Sequence, residues 1–572
     1  MAGRYLVKGE ALVRALALAL GALAAAGSMP APSRALNVNS KLFSDRMVLQ
    51  SGQPVPVWGQ GADAQEHVTA ILSGQSGCLP SSVCATDYAA ETTAGDDGAW
   101  QLQLPAMAPA GPFQLTVHGD TSGTVVRHDV MIGEVWVCAG QSNMLLGAPL
   151  LRDLKAYVGL RHPAVRWLTG GEWQAGNSPA TGGNHPAKAC FYFATDLSER
   201  LLASRQVING ATVGIINKAV GETGIVTWMA PSTSDADPAV TPNPAGGENY
   251  DAQIAPLLPP PCASPNGCAP AAYKGVAWWQ GERDGYAPDV YVRLLPALIR
   301  SWRAHWGRPD LPFVFVQIRG GRGLTYEYKN SQFDPTYPPL DKLDNTSIVI
   351  AHMRNAYLDT LLRVPHTGMV VTTDLKGTPY PHVAGKEKYG ARIARIAADL
   401  VYGLPGAPIP GVAGNYAGPT FAYQTRETCS ADDPQCPAGG GNRLRIHFQR
   451  GTADGLKACT PPAPCEPGTT EARGFQLSAD GDSWGPGAHP PANSTFKWAS
   501  AAIDTSHETV LVWDGDQPAT IVTPNAARYA WDYLPQRWAN LFNGDNLGAG
   551  PFSTDLTPSP TPTPAATPTP TP

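Results

Sequence analysis

The stretch Gly133-Glu134-Val135-Trp136-Val137-Cys138-Ala139-Gly140-Gln141-Ser142-Asn143-Met144 decides how this chain is read. It begins as an apolar strand pattern, then runs into a glycine and a hydroxyl side chain. Open α/β sheets carry their chemistry beyond the carboxyl ends of buried strands, so Ser142 stands where a nucleophile would. Taken alone, the serine also reads as a helix cap, since Ser is among the preferred N-cap residues. Three further segments shift the balance. Val213 to Trp228 is an apolar strand ending in a glycine turn around Gly221, and Gly275 to Glu282 is another that ends in polar groups. Gly368 to Asp374 leads within eight positions to His382 and then to a helix.

From Met131 to about Leu404 such strands alternate with helical segments. Tyr291, Leu294, Leu295, Leu298, Ile299 and Trp302 recur at helical spacing, as do Tyr389, Ile393, Ile396, Ala397 and Leu400. That alternation predicts an α/β fold with a parallel sheet covered on both faces. The texture changes on either side. Residues 36–130 alternate polar and apolar positions in short runs (His67 to Leu72, Trp100 to Leu104, Phe113 to Val117) between Gly, Pro and Asp turns, a β-sandwich pattern. Residues 405–555 return to it (Leu444 to Phe448, Val510 to Trp513), which predicts a C-terminal β-domain. Residues 556–572 repeat Thr and Pro and have almost nothing apolar to bury. They read as an extended linker or glycosylated stalk, of the kind that joins a further module.

A length of 572 residues exceeds one ordinary core, so two or three domains are expected. The balance of 41 basic against 47 acidic residues argues against a nucleic-acid partner and for a neutral or weakly charged substrate. Residues 1–35 carry Arg4, Lys8 and Arg14, then the apolar run Ala15 to Gly27, then small residues and Pro30, the pattern of a secretory signal peptide. The competing reading is a membrane anchor, but the run is shorter than the ~20 residues needed to cross a bilayer. A secreted protein, extracellular or periplasmic, is expected.

Eight of the ten cysteines form four close pairs, Cys78/Cys84, Cys262/Cys268, Cys429/Cys436 and Cys459/Cys465, leaving Cys138 and Cys190. Five disulfides are predicted. The close pairs lack the C-x₂-C spacing and partner histidines of a zinc site, so no metal is expected. A Cys138–Cys190 bridge would pin the strand next to Ser142, and the alternative is two buried free thiols.

Further stretches fall in order along the chain: Leu42 to Gln50 with Val55-Pro56-Val57-Trp58-Gly59, Gly140 to Met144, Trp279-Gln280-Gly281-Glu282 followed by Trp302-Arg303, Val383 to Lys386 with Gly390 and Arg392, Arg528-Tyr529-Ala530-Trp531, and Pro551-Phe552. In this order they resemble the sialate O-acetylesterase family of SGNH hydrolases, over nearly the whole chain. The resemblance implies an SGNH-hydrolase-like three-layer α/β/α domain flanked by N-terminal and C-terminal β-domains. It also implies a secreted serine carbohydrate O-acetylesterase that needs no cofactor and acts on acetylated glycans.

By the same resemblance Ser142 is the nucleophile and His382 the general base, and each follows a buried strand as that chemistry requires. Oxyanion donors would be the backbone N–H of Ser142, the backbone N–H near Gly221, and the side-chain amide of Gln280 in the place of the usual asparagine. Gly221 also reads as a turn glycine and Gln280 as a strand-end cap. Candidates for substrate contact are Gln141, Trp228 and Trp279, an indole offering a flat apolar face to a sugar ring. Trp278 and Trp279 are neighbours on one strand and must face opposite ways, so one of them is expected in the core.

The third triad member departs from the family pattern. Relatives carry an aspartate three positions before a histidine that proline follows, whereas this chain has Pro379 and Val383. Asp374 and Glu282 are the remaining carboxylates. A dyad is the other option, and Glu282 also reads as a brace or as a partner for Arg303. The missing aspartate motivates an alternative of another class, a non-catalytic carbohydrate-binding protein with a decayed esterase core. The absence of a Gly-x-Ser-x-Gly elbow counts against an ordinary lipase.

Overall fold

The computed structural model describes residues 35–39, 41–145, 162–176, 186–204, 211–231, 247–259, 272–285, 287–319, 345–375, 382–383, 385–404, 416–459, 470–481, 495–531 and 539–556. The expected signal peptide and the Thr/Pro tail beyond Leu556 lie outside them.

The N-terminal part comprises β1 (Asn37–Val38), β2 (Val48–Gln50), β3 (Val55–Gln60), β4 (His67–Leu79), the short helix α1 (Ser81–Cys84), β5 (Tyr88–Thr93), β6 (Trp100–Leu104), β7 (Ala110–Gly119) and β8 (Gly123–Gly140). β1, β3 and β6 make a small antiparallel sheet, while β5, β4, β7 and the first half of β8 make a second. The Val130/Met131 boundary expected from the sequence falls inside β8. This 18-residue strand leaves the N-terminal sheet and continues as a central strand of the α/β domain. The two units therefore share one strand.

The central sheet adds β9 (Val165–Thr169), β10 (Glu172–Ala175), β11 (Val213–Asn217), β12 (Gly275–Trp279), β13 (Phe313–Val316) and β14 (Thr367–Val370), in the order β10-β9-β11-β8-β12-β13-β14. All pairs are parallel except the β9–β10 edge hairpin. The connections carry α2 (Ser142–Leu145), α3 (Lys188–Ala203), α4 (Pro288–His305), α5 (Asn345–Arg363) and α6 (Lys386–Tyr402). α3 packs with α6, and α4 with α5.

Strand alternation assigns the faces. Val135, Val137, Val276 and Trp278 join the core on the α4/α5 side, whereas Trp136, Cys138, Ala277 and Trp279 join the core on the α3/α6 side. The stripe expected on α4 is buried, and Pro288 and Asp289 open the helix as its first turn favours. Left-handed glycines flank α6 at Gly385 and Gly403, the latter a usual helix stop.

Cys138–Cys190 ties β8 to α3, and Cys78–Cys84 and Cys429–Cys436 clamp short loops. Cys459 is also disulfide-bonded. Cys262, Cys268 and Cys465 lie outside the described residues. Beyond the α/β domain, strands Phe421–Cys429, Gly441–Phe448, Thr509–Trp513, Ser500–Asp504 and Glu471–Ala472 form an antiparallel sheet, with a smaller four-stranded sheet beside it. This part docks on the α/β domain, where the Ser553 N–H donates to Asn355 of α5 at 3.1 Å. Among the described residues no helix is long and apolar enough to cross a membrane.

Candidate active site

Three adjacent strands, β11, β8 and β12, end at one edge of the sheet, and their pairing continues past their last residues. The Val220 N–H donates to the Gly140 carbonyl at 2.9 Å, and the Gln141 N–H to the Trp279 carbonyl at 2.8 Å. Gly140 has φ +128°, and a Cβ there would run into the Trp279 carbonyl, so only glycine lets the chain turn here. Two residues later Ser142 opens α2. Gly221 comes in from β11 so closely that a Cβ on it would touch the Ser142 Cβ at 4.0 Å. Among the described residues the backbone N–H groups of Ser142 and Gly221 have no hydrogen-bond partner.

The Gln280 amide is placed otherwise than expected. Gln280 is fully buried. Its Nε2 donates to the Thr223 carbonyl at 2.9 Å and to the Asp284 carboxylate, and its Oε1 accepts from the Tyr291 hydroxyl at 3.1 Å. Both amide hydrogens are spent inside the protein, holding the loop that carries Gly221. Gln141 shows the opposite pattern. Its Oε1 accepts from the N–H groups of Gly281 (3.3 Å) and Arg283 (3.2 Å), while its Nε2 has no partner among the described residues.

His382, twelve residues beyond the end of β14, stands at the same edge. The Val383 N–H donates to Asn143 Oδ1 at 3.2 Å, so the residues after the serine and after the histidine are joined directly. No hydrogen bond links Ser142 Oγ to the imidazole; such catalytic bonds are commonly long before substrate binds. Burial and the Lys386 cation hold His382 below its ordinary pKa, while the Glu222 carboxylate opposes them. Glu222 occupies the left-handed region at φ +62°, which is uncommon for a residue with a side chain.

The two expected carboxylates have other partners. Asp374 takes a bidentate pair from Arg392, 2.8 Å to Oδ1 and 2.6 Å to Oδ2, with Arg392 also on the Val371 carbonyl at 2.7 Å. Glu282 accepts from Asn143 Nδ2 at 2.6 Å. Glu282 does not pair with Arg303, whose guanidinium binds the carbonyls of Leu311, Pro365 and His366.

Trp228 and Trp279 are both fully buried, so neither offers a ring face to a sugar. Trp228 stands edge-on to Trp278 and donates to Thr223 Oγ1 at 2.9 Å. Trp279 stacks on Tyr389 and carries the Lys386 ammonium 4.0 Å above its ring. The expectation of substrate contact failed because a strand end reached by two helix layers has no open face left.

Asn143, Lys386, Arg392 and Glu222 went unassigned in the sequence reading. Asn143 and Lys386 stand beside the nucleophile and the histidine, and that adjacency was the available signal.

Residues 132–396 match the family described as carbohydrate esterase, sialic acid-specific acetylesterase. The sialate O-acetylesterase of Mus musculus is 24% identical over 411 residues, covering 61% of this chain and 70% of that protein. The Homo sapiens protein of the same name is 23% identical over 409 residues, covering 64% and 71%. Among solved structures, a carbohydrate acetylesterase from Xanthomonas citri matches with a TM-score of 0.63 at 26% identity, over 92% of this chain and 100% of that one. The matched span runs from β8 through most of α6 and holds every strand end that builds the site. Residues 132–396 thus form a domain similar to the sialate O-acetylesterases, and the chain is a carboxylic ester hydrolase.

Proposed function

We propose that this chain is a secreted enzyme that removes O-acetyl groups from a polysaccharide through an acetyl-serine intermediate. Ser142 Oγ attacks the ester carbonyl as its proton passes to the His382 imidazole. The tetrahedral oxyanion takes hydrogen bonds from the N–H groups of Ser142 and Gly221 and from Gln141 Nε2, which replaces Gln280 in that role. Collapse breaks the bond to the sugar oxygen, which leaves with the proton from His382. Water, deprotonated by the same imidazole, then attacks the acetyl-serine and releases acetate and Ser142.

The observation that carries this reading is the joining of the Ser142 and His382 segments by the Val383–Asn143 bond, with the backbone N–H groups of Ser142 and Gly221 unpaired among the described residues. The nearly complete coverage of a carbohydrate acetylesterase favours a carbohydrate ester as substrate. The disulfides favour an oxidising compartment.

The test is acetate release from acetylated xylan or xyloglucan and, separately, from O-acetylated sialic acid, each beside Ser142→Ala. Release from a polysaccharide that vanishes in the variant is expected. Release from sialic acid alone moves the substrate to that sugar, and release that survives Ser142→Ala removes the nucleophile.

A further inference from the structure

Behind Ser142 lies a chain of polar side chains that the hydrolytic steps do not use. Asn143 is almost wholly buried, and its carboxamide has a fixed sense. Nδ2 donates to Glu282 Oε1 at 2.6 Å, while Oδ1 accepts from Lys386 Nζ at 2.8 Å and from the Val383 N–H at 3.2 Å. Lys386 Nζ makes a second bond, 2.6 Å, to the Asn143 carbonyl. A buried cation and a shielded carboxylate thus hold the two ends of one amide. That amide belongs to the residue after the nucleophile and grips the residue after the histidine.

We propose that Glu282, Asn143 and Lys386 form a positioning relay that locks the turn of Ser142 against the loop of His382, doing for this pair what a triad carboxylate does elsewhere. The inference rests on the assignment of Ser142 and His382 given above. Three observations support it. First, Asp374 is committed to Arg392, so the alignment of His382 needs another source. Second, the relay reaches the histidine segment through the Val383 N–H and the serine turn through the Asn143 carbonyl, and the bonds from Glu282 and Lys386 that hold Asn143 are charge-assisted, the stronger class. Third, Lys386 is the first residue of α6 and its ammonium is seated over the Trp279 ring, so the helix fixes where the cation stands.

The electrostatics agree with the geometry. Burial draws Lys386 down to about 7, with Glu282 opposing that shift and Lys188 adding to it. Burial pushes Glu282 up, against the bond from Asn143 and the charge of Lys386. Among the described residues, the charges acting on His382 are Lys386 on α6 and Glu222 on the loop after β11, and the Lys386 cation lowers the imidazole pKa. The relay therefore has a signature that packing alone lacks, because removing the cation raises the pKa of His382.

The experiment compares Lys386→Met, Asn143→Ala and the double variant in the full chain, with 4-nitrophenyl acetate as probe, over a pH series. Each single variant is expected to lower kcat by about 10²-fold with KM nearly unchanged, the loss typical of a small misplacement of reacting groups. The double variant is expected to lose little more than either single one, as members of one unit do. In Lys386→Met the acid limb of kcat/KM moves to higher pH. An unmoved limb, or losses that add, overturns the relay. If Lys386→Met does not fold, Asn143→Ala decides: a kcat loss with phosphonate labelling of Ser142 slowed alike supports it, and an unchanged kcat overturns it. Ser142→Ala, run alongside, separates the two readings. Activity surviving in that variant removes the nucleophile itself, whereas a dead Ser142→Ala beside a wild-type-like Lys386→Met removes the relay alone.

Discussion

The two sides of the site are held in place by different kinds of bonding. On the nucleophile side, Gly140, Gln141 and Val220 are fixed by main-chain pairing that extends the sheet, so Ser142 is positioned by register. On the histidine side β14 ends at Val370, and His382 arrives well beyond it, tied in by Asn143, with Lys386 alongside. Register is a property of backbone and tolerates many side chains. Side-chain ties fail singly. The comparison predicts that substitutions around Ser142 act through the chemistry itself, whereas those around His382 act through alignment and pH.

The largest effect is expected at the imidazole. His382→Ala should lower kcat by at least about 10⁴-fold in steady-state hydrolysis of 4-nitrophenyl acetate, since base and nucleophile act as a unit. Activity within tenfold of wild type would leave the histidine side without a base and break the comparison.

Next come the two glutamines. Gln141→Leu is expected to cost about 10² to 10³ in kcat at constant KM, the usual loss for one oxyanion donor. Gln280→Leu is expected to appear as a lower melting temperature, because Asp284, Tyr291 and the Thr223 carbonyl lose a buried partner, at about 1–3 kcal/mol for each group left unsatisfied. If Gln280→Leu instead lost kcat without a change in melting while Gln141→Leu stayed active, the oxyanion role would return to Gln280.

These two residues show what the sequence could and could not tell. The strand ends at Gly140 and Trp279 were legible because an apolar run followed by glycine or polar residues marks where a buried strand stops, whereas β11 and β14 stop at Asn217 and Val370, four residues short of Gly221 and Asp374. The Cys138–Cys190 bridge was legible by pairing the remaining cysteines. What a strand end shows is which residue arrives at the edge, not which of its hydrogen bonds are already taken. Gln280 is claimed by Tyr291 from α4, and its carbonyl also by Tyr357 from α5 at 2.6 Å, contacts that only the packed helices create. Trp228 and Trp279 looked available for the same reason, and the helix layers cover both.

Asp374 sharpens the histidine side of the comparison. Its fork with Arg392 is nearly buried, and Gly548 of the C-terminal part packs so close that a Cβ there would stand 2.7 Å from the Asp374 Cβ. Removing one partner of a buried pair strands the other, so Asp374→Asn is expected to destabilise the fold by about 3 kcal/mol in denaturant unfolding. Its kcat should remain within tenfold at a temperature where the variant is folded. A loss near 10⁴-fold in folded protein, the size seen when a triad aspartate is neutralised, would make Asp374 the triad acid after all.

The smallest effect is the most specific to the histidine side. Glu222 directly follows Gly221 and is held at φ +62°, a strained backbone conformation that costs of order 1 kcal/mol for a residue with a side chain. Its negative charge favours the imidazolium of His382, against burial and Lys386, which disfavour it. The base must be neutral to act, so the acid limb of kcat/KM in the wild type is expected below the ordinary histidine value. Glu222→Gln removes the opposing charge and should move that limb further to the acid side, with the plateau nearly unchanged. Glu222→Gly should move it equally and raise the melting temperature, since glycine takes the left-handed conformation without strain. A collapse of the plateau in both variants would mean that Glu222 orients the imidazole directly. The histidine side would then hold its own carboxylate, supplied by the loop after β11, and both sides of the site would depend on that one loop.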